Sequence, residues 1–300
     1  ASLSQLAVPE RQDVLSRPGD DAAILRCGDR QQVITTDHLR AFVEDPYLMT
    51  RIALQHALGD VWAMGAAPQA VLSQIILPPA TPALHAGMLA EITAAAAEGA
   101  HAVGAELVGG HTSIGAELTI GFAVTGLAGA RAISLAGARP GVRLVLSRPS
   151  VTCGLLAAER HSAANGEHIA AVWEMMASDP SEVANELARV AHAMTDVTGF
   201  GLAGHLARLC AASNVGARLN LAAVPLHAGA ETLAAEGHRS SLYPANRALV
   251  PAWPETSARH RLLFDPQTAG GLLAAIPAGA TVEGATDIGE ITETRDLVLV

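Results

Sequence analysis

The 300-residue sequence contains no lysine: all 19 of its basic side chains are arginine. That absence excludes a Walker A loop and a protein-kinase fold, since both place an ammonium on nucleotide phosphates. It excludes a Schiff-base lysine as well. Aromatic residues are scarce, at 3%, so Ala, Leu, Val and Gly must fill the interior of a chain that is 50% apolar. Three cysteines, Cys27, Cys153 and Cys210, are too few and too scattered for a disulfide framework or a zinc site. Their apolar neighbours predict buried free thiols in a reducing compartment, hence a cytoplasmic protein. The opening ASLSQLAVPERQDV lacks the charged region and apolar core of a signal peptide. No run reaches the ~18 apolar residues of a membrane span, so a soluble protein is expected. A net charge of −10 argues against nucleic acid or an anionic membrane as the main partner.

At roughly 150 residues per domain the length suggests two domains, and the patterning predicts two α/β or α+β units of similar size. Residues 22–25 and 32–36 read as strands. Asp45-Pro46 introduces a helix over 47–64 with one buried stripe, which Gly65 ends. A strand over 71–77 stops at Pro78-Pro79, and an Ala-rich helix over 84–103 stops at Gly104. Leu107-Val108 leads into a Gly109-Gly110-His111 turn, followed by a strand over 117–127. The Gly/Ala-rich texture of 126–141 marks a boundary, giving domains 1–130 and 131–300. In the second half, strands are expected over 142–147, 194–197, 217–224, 262–264, 271–276 and 297–300. Helices are expected over 152–161, 169–178, 182–193 and 201–212.

The carboxylates are placed where burial is expected. Asp20-Asp21 precede an apolar strand, Asp37 ends VITTD, Asp60 lies within HALGDVWAMG, and Asp196 sits in AMTDVTGFG. Caps and buried hydrogen bonds are the ordinary explanation, and turn work suits Asp20. Asp60 resists it, because mid-helix Asp has poor propensity and few backbone groups left to bond. If Asp21, Asp60 and Asp196 converge, carboxylates about 4 Å apart repel by roughly 4 kcal/mol at an effective dielectric of 20. With no lysine to neutralise them, one is protonated or a hard cation such as Mg²⁺ sits between them. Mg²⁺ usually keeps phosphate oxygens in its shell, which makes a nucleotide the natural guest. The Gly109-Gly110-His111 turn and the Thr198-Gly199-Phe200-Gly201 helix entry offer backbone N–H groups to an anion. For His56 and His111 a structural hydrogen bond is the ordinary role. Asp265-Pro266-Gln267-Thr268 reads as a turn into a strand. Arg51, Arg143, Arg148 and Arg247 could steer phosphates, but surface solvation is the ordinary role of each and they stay outside the site.

The segments TTDHLRAFVEDPY (35–47), HALGDVWAMGAAP (56–68), LVGGHT (107–112), AMTDVTGFGLAGHL (193–206) and LFDPQTAGGLL (263–273) resemble the selenophosphate synthetase (selenide, water dikinase) family. They run in that family's order from near residue 17 to the C-terminus. The wider superfamily includes aminoimidazole ribonucleotide synthetase, thiamine-monophosphate kinase and a hydrogenase-maturation carbamoyl dehydratase. The resemblance implies an α/β plus α+β, two-domain architecture like that of aminoimidazole ribonucleotide synthetase, with an N-terminal domain that forms a homodimer through its sheet. It implies ATP as substrate, with nucleotide contacts from Pro18, Gly19, Asp20, Asp37, Asp60, Gly109, Gly110 and His111. Asp21, Asp60 and Asp196 are implied as Mg²⁺ ligands. The reaction it implies is phosphorylation of selenide by ATP, which ends as AMP and orthophosphate after water takes the remaining phosphoryl.

Two departures qualify the resemblance. The family carries a Gly-rich loop with a Cys or selenocysteine and then a Lys, both tied to catalysis. This chain begins downstream of that loop, so no catalytic residue is assigned within it and the expectation is a nucleotide-binding body with little turnover alone. Cys27 comes too late to replace the missing thiol. His56 stands where many relatives carry Asn, and its surroundings look more like a version fused behind a flavin-dependent NADH-dehydrogenase-like domain. Two other readings remain beside the leading one: a superfamily member acting on a small organic substrate, and a non-catalytic ATP-binding or dimerisation module of a larger redox protein.

Overall fold

The computed structural model describes residues 11–16 and 19–300, so Pro18 lies outside the described residues. The chain divides into two compact units, Ala1–Ala132 with Ala177–Ser181, and Ile133–Met176 with Glu182–Val300.

In the first unit, β1 (Ala23–Cys27) and β2 (Arg30–Arg40) form an antiparallel pair. They join β3 (Ala66–Leu77), β4 (Glu106–Ile114) and β5 (Thr119–Ala128) in a sheet of order β1-β2-β5-β3-β4. Only β3 and β4 run parallel, linked by the crossover helix α2 (Pro82–Ala102). The preceding helix, α1 (Pro46–Ala63), starts where the sequence places it. The Asp45 carboxylate accepts the N–H groups of Tyr47 and Leu48 at 2.9 and 3.1 Å, and Pro46 supplies the fixed φ of the first turn.

The expected single buried stripe on α1 is too narrow. Met49, Ile52, Leu54, Leu58 and Val61 are wholly enclosed, and Thr50, Gln55 and His56 are buried beside them. A helix apolar around most of its girth is an interior helix. By contrast, α2 buries only Ile92, Ala95, Ala96 and Ala100, one narrow face. The expected Gly109-Gly110-His111 turn is not a turn. These residues lie inside β4, paired with Leu72, Ser73 and Gln74 of β3. Gly110 is there because a Cβ would fall 2.3 Å from the Ser73 carbonyl oxygen. Close strand approach, rather than a cradle, explains that glycine.

The second unit contains β6 (Arg143–Leu146), β7 (Ala193–Asp196), β8 (Gly216–Leu219), β9 (Leu272–Ile276), β10 (Thr286–Thr292) and β11 (Leu297–Leu299). Their sheet order is β11-β8-β10-β6-β9-β7. Its helices are α3 (Cys153–Glu159), α4 (Gly166–Ala177), α5 (Ser181–Val190), α6 (Gly201–Ser213), α7 (Ala230–Ala235), α8 (Tyr243–Arg247) and α9 (Ala258–Leu262). Leu144, Leu206, Leu209, Leu273 and Ile288 build the core around Phe264, against which Tyr243 and Trp253 stand edge-on at 6.1 and 6.3 Å. Each such side chain contributes about 1.5–3 kcal/mol by burial.

Several expectations need correction. The strand expected over 262–264 is the end of α9 and the turn after it, because a short apolar run does not separate strand from buried helix. The strand expected over 217–224 stops at Leu219. There Asn220 accepts the Ala222 N–H at 3.1 Å and starts a single helical turn. Cys210 is buried and Cys153 half-buried, but Cys27 is exposed at the hairpin end of β1. Arg148 is not surface-solvated. It is 8% exposed and donates to the Ala269 carbonyl at 3.3 Å. Among the described residues no helix is long and apolar enough to cross a membrane.

Candidate active site

In the first unit the site is built by β2 and α1. Strand alternation turns Val33, Thr35 and Asp37 of β2 toward the helices, while helical spacing puts His56 and Asp60 one turn apart on α1. The pairs meet. Thr35 Oγ1 donates to Asp60 Oδ2, and His56 Nε2 lies 3.1 Å from Asp37 Oδ2. The His38 N–H donates to the other Asp37 oxygen at 2.8 Å. Burial pushes the Asp37 carboxyl up, but the His56 hydrogen bond and charge together with the His38 N–H outweigh it, so Asp37 ionises more readily than an ordinary Asp.

Asp60 goes the other way. Burial raises it to about 6 against the opposing Thr35 hydrogen bond, and the charge of Asp37 raises it further. Asp21, half-buried just ahead of β1, brings a carboxylate oxygen within 4.8 Å of one on Asp60. At that separation two ionised carboxylates repel by about 3 kcal/mol at an effective dielectric of 20. The donor set is oxygen only, which suits a hard divalent cation and not a soft one. Gly19 and Asp20 immediately precede Asp21, the first exposed and the second half-buried. Gly109, Gly110 and His111 are not gathered here. Their strand lies three places from β2 in the sheet, roughly 14 Å at ~4.8 Å per strand.

In the second unit Asp196 ends β7 and is 4% exposed. The turn that follows is held by His205, four residues into α6 and 2% exposed. Its Nε2 accepts the Thr198 N–H at 3.0 Å, so the ring proton sits on Nδ1, 3.3 Å from Thr195 Oγ1. That hydroxyl donates to the Asp196 carbonyl at 3.1 Å. Burial, with the charge of Arg208, pushes His205 down to about 3, so the ring stays neutral and keeps its accepting nitrogen.

The Asp265-Pro266-Gln267-Thr268 segment locks the same turn. The Gln267 N–H donates to Thr198 O at 2.9 Å, and its side-chain oxygen accepts the N–H groups of Val151 and Thr152 at 2.8 and 3.1 Å. Gly201 makes the contact possible: it sits at φ +68°, and a Cβ there would lie 2.9 Å from Asp265 O. Two sequence motifs separated by more than fifty residues thus form one hydrogen-bonded support for Asp196.

Comparison with known proteins places this geometry. Residues 19–128 match the family model "AIR synthase related protein, N-terminal domain", and 139–300 match "AIR synthase related protein, C-terminal domain". The chain is 38% identical over 266 residues to selenide, water dikinase of Geobacter metallireducens, covering 85% of this chain and 76% of that protein. It is 35% identical over 280 residues to the selenide, water dikinase of Nitratidesulfovibrio vulgaris, covering 89% and 78%. The chain belongs to the selenide, water dikinase family.

Thiamine monophosphate kinase from Aquifex aeolicus shares the two-domain AIR synthase-like fold, with TM-score 0.72 and 17% identity over 94% of this chain and 91% of that one. As a member of the selenide, water dikinase family, the chain carries two supports that sequence reasoning missed. Thr35 was legible from the alternation in VITTD, which puts it on the face of Asp37. His205 lies in the AMTDVTGFGLAGHL segment, but only the turn-to-helix geometry shows that it reaches back to Thr195 and Thr198. The four arginines left outside the site are structural: Arg51, Arg148 and Arg247 donate to backbone carbonyls, and Arg143 pairs with Asp287 at 2.6 Å.

Proposed function

We propose that this chain is the nucleotide- and metal-binding body of a selenide, water dikinase: ATP phosphorylates selenide to selenophosphate, water takes the remaining phosphoryl, and AMP and orthophosphate leave. The observation that carries the reading is Asp60, a half-buried carboxylate in the last turn of α1 set against Asp21 in a chain without lysine. Asp21, Asp60 and Asp196 are the Mg²⁺ ligands of this reading, and their all-oxygen donor set fits that ion. When bound, the ion supplies the positive charge that offsets the phosphate oxygens, a task no ammonium of this chain can share. Thr35 and His56 fix the Asp60 and Asp37 carboxylates, and His205 with Gln267 fixes the turn after Asp196.

Pro18, Gly19, Asp20, Asp37 and Asp60 are assigned to the nucleotide. Gly109, Gly110 and His111 belong to an edge strand three places from β2, so they reach the nucleotide from a second copy of the chain. The homodimer forms through the helix-free face of the first sheet, where Ile34 and Leu72 are 40% and 47% exposed. The protein is cytoplasmic, and its further expected partner is a fused or adjacent flavin-dependent oxidoreductase domain.

Calorimetry with ATP tests the reading. Binding should require Mg²⁺ and be lost in Asp60→Ala and Asp196→Ala. Nucleotide binding indifferent to Mg²⁺ and to both substitutions overturns it.

A further inference from the structure

A pocket of about 280 Å³ opens within the second unit between α3, α7 and α9, away from the carboxylates assigned to metal and nucleotide. Its apolar wall is Val151, Leu233 and the ring of Tyr243. Val151 is held at φ +82°, in the left-handed region that a β-branched residue rarely enters. Two guanidiniums face the pocket. Arg239 is exposed and its Cζ lies 5.4 Å from the Tyr243 ring centroid. Arg261 is half-buried and donates through Nη2 to Ala234 O at 2.9 Å.

Among the described residues neither arginine enters an ion pair, although Arg11, Arg40, Arg143, Arg218, Arg247 and Arg259 all do. The carboxyls in the lining offset them only in part: the charge of Arg261 helps hold Glu255 below the usual carboxylate range, without an ion pair between the two. Glu255 pairs with Arg247 at 3.5 Å, outside the lining, and the nearby Tyr243 hydroxyl is buried without a hydrogen-bond partner among the described residues. Asp265, at the wholly buried floor, is pushed by burial to about 7 against the Gly154 N–H it accepts at 2.9 Å. Burial thus favours the protonated form, which can donate a hydrogen bond as well as accept one. A protein of net charge −10 therefore carries a pocket with two planar cations outside any ion pair among the described residues, a hydroxyl-bearing ring and an apolar wall.

We infer that this pocket binds a small organic anion, its carboxylate or phosphate group held by Arg239 and Arg261 and its apolar body lying against Leu233, Val151 and Tyr243. Guanidinium forks match both anionic groups in planar, two-point contacts. The volume admits a body of about a dozen non-hydrogen atoms, near the low end for small-molecule pockets.

Binding of benzoate, phenyl phosphate and neutral benzamide to the full chain, followed by ligand-observed NMR and calorimetry, tests the assignment. Both anions are expected to bind with one site per chain while benzamide does not, the tighter of the two naming the anionic group. Arg239→Glu changes an exposed side chain and should weaken the anions at least tenfold, whereas Arg239→Lys should recover most of that. Mg²⁺-dependent ATP binding should be unchanged in both. Equal binding of benzamide, affinity unmoved by Arg239→Glu, or displacement of the probe by ATP at the same stoichiometry would each overturn the proposal.

Discussion

An ionised carboxylate enclosed by a helix and a sheet is expensive, and Asp60 shows that cost directly in a pKa raised to about 6. The native state holds this proton more tightly than the unfolded chain. The stabilising contribution is fully present below about 3.8 and is lost as pH rises through 6. Two units correspond to about 3 kcal/mol. Asp60→Asn keeps an acceptor for Thr35 Oγ1 and removes the charge. Its chelator-treated form should resist urea better than wild type at pH 8 by about 2–3 kcal/mol, with the advantage gone at pH 4, while Mg²⁺-dependent nucleotide binding disappears. His205 works at the same scale from a distance. His205→Ala removes the acceptor for Thr198 N–H and the donor to Thr195, so Mn²⁺ titrations should show affinity falling by about 10–100-fold, the range for lost partners of a metal ligand. His205→Gln restores the Thr198 acceptor and should recover most of it, although both variants lose packing. An equal loss in both would reduce His205 to a core residue.

Among the elements, the entry to α6 separates two kinds of glycine. Gly201 has φ +68°, and a Cβ added there would meet backbone atoms of Leu263, Phe264 and Asp265 within 3.0 Å, whereas one added at Gly199 would meet nothing within 4 Å. Gly201→Ala should therefore cost about 2–4 kcal/mol through backbone strain and overpacking. Gly199→Ala should change stability by less than about 0.5 kcal/mol. Urea unfolding of the two variants makes the comparison. Other elements show where sequence was informative. The start of α1 was legible because Asp45, Pro46 and Gly65 are punctuation with a local mechanism, and Asp60 because an Asp among apolar residues near a helix C-terminus has no local reason to be there. β4 was misread because a Gly-Gly pair looks like a turn until the partner strand forbidding a Cβ is known. β10 went unseen because Gly289, at φ +153° in a bulge, breaks its alternation. The support around Asp196 was beyond reach for a different reason: Gln267 and His205 act through contacts that exist only once the chain has folded back on itself.

Across the whole molecule, buried titrating groups oppose one another. Burial raises Asp60 to about 6 and Asp265 to about 7, and it lowers His205 to about 3 and His227 to about 4, helped by the charges of Arg208 and Arg148 respectively. For the two acids the folded state binds the extra proton, so their stability is present at low pH and is lost as pH rises through 6 and 7. For the two histidines the unfolded chain binds the extra proton. Their stability is present above 6.5 and is lost as pH falls toward 4 and 3. Over pH 4–8 each pair is worth several kcal/mol in opposite directions, so the chelator-treated protein should hold its unfolding free energy constant to within about 1 kcal/mol. Single substitutions should break that balance with predictable sign. In His227→Gln the acids prevail and stability should fall by about 3 kcal/mol from pH 4 to pH 8. In Asp265→Asn the histidines prevail and stability should rise over the same range. Urea titrations at five pH values separate these slopes, and parallel slopes in the two variants would show that other groups set the pH dependence. Saturating Mg²⁺ should act on wild type as Asp265→Asn does, because a cation that keeps Asp60 ionised in the folded state removes one of the two acids from the balance.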